Sequence, residues 1–310
     1  VLPLDLRLAL GVLQTLAEAQ GSRTDALTEE EPGRILHELR RGPASSLPLG
    51  PGGAYYGSVD ATPLFVMLLG ELRRWGQAPS DVDALLPHAD RALDWIVNFG
   101  DRDGDGFVEY RRSTDRGLLN QGWKDSADAI CFADGARAET PIALAEVQGY
   151  TYAAYLARAH FAVETGDTSV ADSWIERAMR LKEAFNEAFW LPDKGYYAMA
   201  LDRHKRPVDA LASNMGHCLW TGIIDEARAE YEVTYRSRRD TTWAGDAGGD
   251  GTADGGRRAE VRRFERQHLI VLGERRFELD QCRAGPDGDD EFRRRVVDDA
   301  AVFARVEWLA

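Results

Sequence analysis

The chain has little cysteine, no long apolar run and no excess of positive charge, and each shortage argues against a class of protein. Its three cysteines, Cys131, Cys218 and Cys282, are odd in number, far apart in sequence and without metal-ligand spacing. That pattern argues against a disulfide scaffold and a zinc site, and it makes the reducing cytoplasm the expected location. No apolar stretch reaches the length that spans a bilayer, and the opening Val1-Leu2-Pro3 has neither a basic leader nor a small-residue cleavage site. No membrane partner is therefore expected. With a net charge of -14 there is no general basic surface to attract nucleic acid. An initiator Met is also missing, so the chain is expected to be a fragment or a trimmed chain, with room for a missing N-terminal domain.

What is present suffices for a folded core. A chain of 310 residues with 44% hydrophobic content accommodates one large domain or two ordinary ones. Helical periodicity dominates its first three quarters. Residues 4–19 are apolar on a broad face and end at Gly21. Pro63 suits the first turn of a helix capped by Asp60 or Thr62, running from Leu64 to Trp75 and stopping at Gly76. Between Ser80 and Gly100, Leu86, Ala89, Leu93 and Ile96 form one amphipathic stripe. Further helices are predicted over 141–166, over 168–189 with Trp174, Ala178, Leu181, Phe185 and Phe189 on one face, and over 210–224. Short strands are predicted at 107–111 and 196–200. Helices joined by turns, with few strands, point to an all-α domain of stacked helical hairpins.

The text changes near residue 229. From Tyr231 onward Arg, Asp and Gly crowd together, most densely between Gly245 and Arg258. Such a segment cannot repay its ordering entropy by burial, so residues 230–310 are expected to form an atypical, partly disordered tail behind a helical domain of residues 1–229.

The chemistry concentrates in Asn120-Gln121-Gly122-Trp123-Lys124-Asp125-Ser126. A Trp ring can stack on the apolar face of a pyranose while the neighbouring carboxyl reaches the glycosidic oxygen. Next to an aromatic wall, that carboxyl is desolvated and keeps its proton closer to neutral pH, as a general acid must. Asp125 could equally cap a following helix. Four more segments accompany this one. Glu31-Pro32-Gly33-Arg34-Ile35-Leu36-His37-Glu38 offers polar groups at Arg34, His37 and Glu38, and Tyr55-Tyr56-Gly57-Ser58-Val59-Asp60 precedes a helix. Glu146-Val147-Gln148-Gly149-Tyr150 and Ser213-Asn214-Met215-Gly216-His217-Cys218-Leu219-Trp220 follow later.

In this order the five segments resemble the bacterial amylo-alpha-1,6-glucosidase (glycogen debranching enzyme-like) family of the six-hairpin glycosidases. The resemblance implies an (α/α)6 toroid of helical hairpins, incomplete here at its C-terminal end, with the loops of Asp60, Asp125 and His217 converging at one mouth. It implies an inverting hydrolase of alpha-linked glucans that needs no cofactor, with Asp125 as general acid and an oligosaccharide or polysaccharide as substrate. Trp123, Lys124, Asp60, Tyr56, Arg34, His37, Glu38, Glu146, Gln148 and His217 are its implied substrate contacts. Several of these keep a second reading: Asp60 can simply cap its helix, Arg34, His37 and Glu38 can be the exposed side of a helical segment with Ile35, Leu36 and Leu39 packed inward, Glu146 can be a structural contact, and His217, beside Cys218, Leu219 and Trp220, can be a satisfied core histidine. An inverting enzyme also needs a base, which the family carries in a later hairpin that this chain lacks. Glu146, Glu139 and Glu109 are the candidate substitutes. Without a base, the chain would be a carbohydrate-binding remnant.

The segment from Asp101 to Tyr110 suggests a calcium loop, because Asp101, Asp103, Asp105 and Gly106 match its first half. Arg112 stands where the closing bidentate Glu belongs. No metal is expected there.

Overall fold

A computed structural model describes residues 5–40, 53–124, 126–225 and 227–229 of the chain. The expected tail at 230–310, including 243–258, lies outside the described residues, and so does Asp125. The described residues form an all-α array of helical hairpins in two layers, as expected, with only two-residue strands between helices.

Which layer a helix joins follows from how much of its circumference is apolar. Helix α1 (Leu6–Glu18) opens on Asp5, whose carboxylate accepts the amide of Arg7 at 2.9 Å, and buries Ala9, Leu13 and Ala17, spaced four apart. One buried stripe makes it an outer helix. The long α6 (Thr168–Ala188) likewise opens on an Asp cap, Asp167, and buries Ala171, Ala178, Leu181 and Phe185 along one side. By contrast, α5 (Ala145–Glu164) has 16 of its 20 residues buried, which is possible only for a helix covered on every side. It packs on α6, on α2 (Ala61–Arg74) and on α7 (Gly216–Thr221), while α1 and α4 (Leu86–Trp95) lie against α2. Thus α2, α5 and α7 form an inner layer, backed by α1, α4 and α6.

Small residues let the inner helices approach closely. A Cβ added at Gly70 would stand 2.7 Å from the Ala157 Cβ, and one at Gly149 would stand 2.5 Å from the Thr221 hydroxyl. Aromatic packing closes the α6 side. Phe185 stacks on Phe189 and Tyr197 with ring centroids 4.6 and 5.2 Å away, and all three rings are fully buried. Of the residues expected between the layers, Leu93, Leu181 and Phe185 are buried, whereas Leu86 and Trp174 are partly covered.

The strands are short antiparallel ties: β1 (Glu38–Leu39) with β2 (Ala54–Tyr55), and β4 (Trp190–Leu191) with β5 (Tyr196–Tyr197). The third tie matters for function. There β6 (Ala200–Leu201) lies between β3 (Ala143–Leu144) and β7 (Pro207–Val208), with Ala143 opposite Leu201 and Leu144 opposite Ala200. Because β3 runs straight into α5, this patch sets the height at which α5 begins.

Several elements differ from the sequence expectation. The helix predicted over 80–100 is broken into α3 (Pro79–Asp83), α4 and a π-helical turn at Ile96–Gly100. Pro87 explains the restart, since its missing N–H is tolerated only in a first turn. The segment after Pro141 joins a sheet before turning helical at Ala145. Residues 210–224 yield only a 3-10 turn at Ser213–Met215 and the short α7, which Gly222 closes in a left-handed conformation at φ 75°. The strand expected at 196–200 splits between two sheets, and 107–111 contributes a single bridge from Tyr110 to Ile142.

Candidate functional site

The start of α5 carries the most perturbed carboxyl facing the loops of interest. Glu146 sits in the first turn with 2% of its surface exposed, and one of its oxygens accepts a 2.6 Å hydrogen bond from the Asn214 amide. Burial pushes its pKa up to about 7. The Asn214 hydrogen bond opposes that rise, the negative charge of Asp60 adds to it, and the positive charge of Lys124 subtracts. Asp60, Lys124 and Glu146 therefore share one electrostatic neighbourhood although they come from three separate segments. The loop bearing Gly122 passes over Glu146, so closely that a Cβ on Gly122 would stand 3.9 Å from the other carboxyl oxygen and collide with Leu144. Asn214 also donates to the Met199 carbonyl at 3.1 Å, which ties this corner to the strand patch below α5.

Asp60 occupies the position before α2 but its side chain does not cap the helix. Ser58 does so instead: its hydroxyl accepts the Ala61 amide at 3.3 Å and donates to the Asp60 carboxylate. Thr62, the other expected cap, accepts the Ile35 amide at 3.1 Å. Trp123 is 53% exposed, with the Lys124 ammonium 5.2 Å from its ring centre. An indole that could have been buried is left facing water.

On the inner-layer side, the Tyr150 hydroxyl lies 2.6 Å from Nδ1 of His217, and Trp220 meets both rings edge-on at 6.5 and 6.3 Å. Burial, with the charges of Glu146 and Asp60, raises the Tyr150 pKa far above its usual value. The phenol thus keeps its proton where it meets the His217 ring. His217 is exposed rather than a core histidine.

The structure thus brings Asp60, Trp123, Lys124, Glu146 and His217 to the loops around the start of α5. It gives other implied contacts different surroundings. Gln148 is fully buried and spends its side-chain amide on backbone, accepting the Val108 amide at 2.9 Å and donating to the carbonyls of Val108 and Leu144 at 2.8 and 3.0 Å. Tyr56 donates its hydroxyl to the Ala19 carbonyl at 2.8 Å. Arg34 is 1% exposed and lies 5.1 Å from the centre of the Trp95 ring. His37 is exposed beside Tyr55, and Glu38 pairs with Arg40 at 3.0 Å on β1. The resemblance that implied these contacts rests on motifs along the chain, which do not say which way a side chain points.

Of the three candidate bases, Glu139 pairs with Arg203 at 3.4 Å and is half exposed. Glu109 accepts from the Lys205 ammonium at 2.5 Å. The same ammonium reaches Asp103 at 2.9 Å and Asp105 at 2.6 Å. Oxygens of Asp101, Asp103 and Asp105 cluster within 4.8 Å, and a lysine from 96 residues further along than Glu109 supplies positive charge there. Only Glu146 of the three adjoins Asp60 and Lys124. Sequence reasoning quoted Asn214 and Tyr150 without assigning them a part; each lies in a motif, but its partner is 68 or 67 residues away.

No family model matches this chain, and no curated protein matches it. Among solved structures, a rhamnosidase from Klebsiella oxytoca with rhamnose bound aligns with 14% sequence identity and a TM-score of 0.46, over 81% of this chain. The chain spans 41% of the length of that rhamnosidase. What the site can do is therefore judged from its own residues.

Proposed function

We propose that the chain is a glycoside hydrolase of the amylo-alpha-1,6-glucosidase type, binding an alpha-linked glucan at the loops around the start of α5. One observation carries this: an exposed indole, Trp123, lies in a loop that crosses a buried carboxyl held near pKa 7, with Asp60 and Lys124 as its charged neighbours. A solvent-facing indole suits the apolar face of a pyranose. Carboxylates and an ammonium suit its hydroxyls, and a carboxyl that titrates near neutrality suits proton transfer. Asp125, next to Lys124 in sequence, is the proposed general acid. In the reaction, its proton passes to the glycosidic oxygen as the bond from that oxygen to the anomeric carbon breaks. A water oxygen bonds to the same carbon from the opposite face and gives up a proton to a base. Glu146 is the base candidate nearest to hand.

One observation favours a second reading, a carbohydrate-binding remnant without hydrolysis. Glu146 is 2% exposed and one of its oxygens is engaged by Asn214, so water does not reach it freely. A glucosyl fluoride substrate with and without azide separates the two. Turnover of an unactivated branched glucan without azide, lost in Asp125→Asn, supports the hydrolase. Acceleration of the fluoride only by azide supports an intact cleft that lacks its base. Binding without turnover in either case leaves the remnant, and no binding of malto-oligosaccharides refutes both.

A further inference from the structure

The buried guanidinium of Arg34 sits where three loops meet. It donates to the Glu29 carbonyl at 2.8 Å, to the Gln121 side-chain oxygen at 3.1 Å and to the Ser58 carbonyl at 3.4 Å. Glu31 lies 3.4 Å away and Glu29 contributes a more distant carboxylate at 3.9 Å, while Arg102 pairs with Glu31 at 3.4 Å, so two cations meet two carboxylates. The Glu31 carboxylate is itself held by the Trp95 indole N–H at 2.8 Å. Glu29 is held in turn in a left-handed backbone conformation, φ 60°, with its carboxylate accepting the Ser113 amide at 2.7 Å. The planar fork is thus supported on its own side by rigid groups and reaches across to two loops that bear site residues.

Those two loops matter for their downstream neighbours. Ser58 caps α2 and bonds Asp60, and Gln121 immediately precedes the Gly122-Trp123-Lys124 stretch that roofs Glu146. A backbone hydrogen bond joins them directly, from the Val59 amide to the Gln121 carbonyl at 2.8 Å. Isolated burial of an arginine would be costly; a guanidinium with several fixed acceptors in a forked geometry repays part of that cost and sets the relative position of whatever it bridges.

We propose that Arg34 is a positioning residue that registers the Asp60 loop against the Trp123–Lys124 loop, and that it does so without contacting ligand. This deepens the carbohydrate-site reading and names a part of the same site, but its first test needs no sugar. If the Gln121–Lys124 loop loses its registration, water reaches Glu146, and burial no longer holds the proton on that carboxyl. The titration of Glu146 thus reports the roof from a distance, because Arg34 is not among the principal groups acting on it.

The experiment follows the Glu146 carboxyl by carbon-detected NMR titration in the full chain, in Arg34→Met and in Gln121→Leu. The second variant leaves the guanidinium and its other acceptors in place, so it decides the matter if Arg34→Met does not fold. In the folded variants the Glu146 pKa is expected to fall toward ordinary carboxylate values by about one pH unit or more. Arg34→Lys is expected to fall in the same direction, since an ammonium keeps the charge but not the fork. An unchanged Glu146 titration in folded Arg34→Met, or in Gln121→Leu where Arg34→Met is unfolded, overturns the proposal and makes Arg34 a core support only. A fall in pKa with no malto-oligosaccharide binding in the unaltered chain keeps the positioning role and refutes the carbohydrate reading instead.

Discussion

Replacing Glu146 with Gln removes one ionisable group from a nearly closed site, and the consequence for stability depends on pH in a direction that can be worked out. In the native state burial raises the Glu146 pKa to about 7, against an ordinary value of 4.5 for the exposed group. The folded chain therefore holds this proton more tightly than the unfolded chain does. Its contribution is fully present below the unfolded pKa and is lost as pH rises through the native value. Integrating between those limits, native stability falls by about 2–3 kcal/mol from about pH 5 to about pH 8 on account of this residue alone. Gln cannot ionise, and its carbonyl oxygen can still accept the Asn214 amide, so Glu146→Gln escapes the loss. Urea unfolding of both chains across that range checks this. The variant is expected to be close to the original in acid and more stable by about 2–3 kcal/mol at about pH 8. A stability difference that stays constant with pH would refute the claim that Glu146 is held protonated by burial.

Four further outcomes follow from the packing and from the charges around Lys205. Gly149→Ala places a methyl 2.5 Å from the Thr221 hydroxyl and is expected to lower stability by about 1–3 kcal/mol in urea unfolding, as α5 and α7 are pushed apart. Phe185→Ala opens a hole between Phe189 and Tyr197 and is expected to cost about 3–5 kcal/mol, with a loss of near-ultraviolet circular dichroism from the aromatic stack. Lys205→Met strands Asp103, Asp105 and the buried Glu109 without their shared cation, and is expected to destabilise at neutral pH. Burial raises the Asp103 pKa, but hydrogen bonding and charge attraction to Lys205, together with hydrogen bonds from Asp105, lower it on balance, so that part of the loss should fade as pH falls through the acid range and Asp103 protonates. In the unaltered chain, micromolar calcium is expected to leave the melting temperature where it is, because the ammonium already holds two of the three loop aspartates.

By itself, the sequence determined those parts of the molecule that depend on local periodicity and on backbone chemistry. The stripe Trp174, Ala178, Leu181, Phe185 and Phe189 gave the helix over 168–189 one face to bury, readable without knowing what lay opposite. A helix over 141–166 was legible too, but its place in the inner layer shows only in the burial of 16 of the 20 residues of α5. Local signals misled where two tendencies competed: Pro87 restarted a helix that its stripe alone would have continued, and Gly216 and Gly222 confined α7 to a fragment of the apolar run around it. The candidate site was legible as a set of motifs but not as an arrangement. Trp123 and Lys124 were singled out from their own loop, whereas the partnership of Glu146 with Asn214, or of Tyr150 with His217, joins residues nearly 70 positions apart. Arg34 shows the difference most clearly. Its motif offered a charged group near a mouth, and only the tertiary structure turned that charge inward onto Glu29, Ser58 and Gln121, because the direction of a side chain is set by what surrounds it and not by its spacing along the chain.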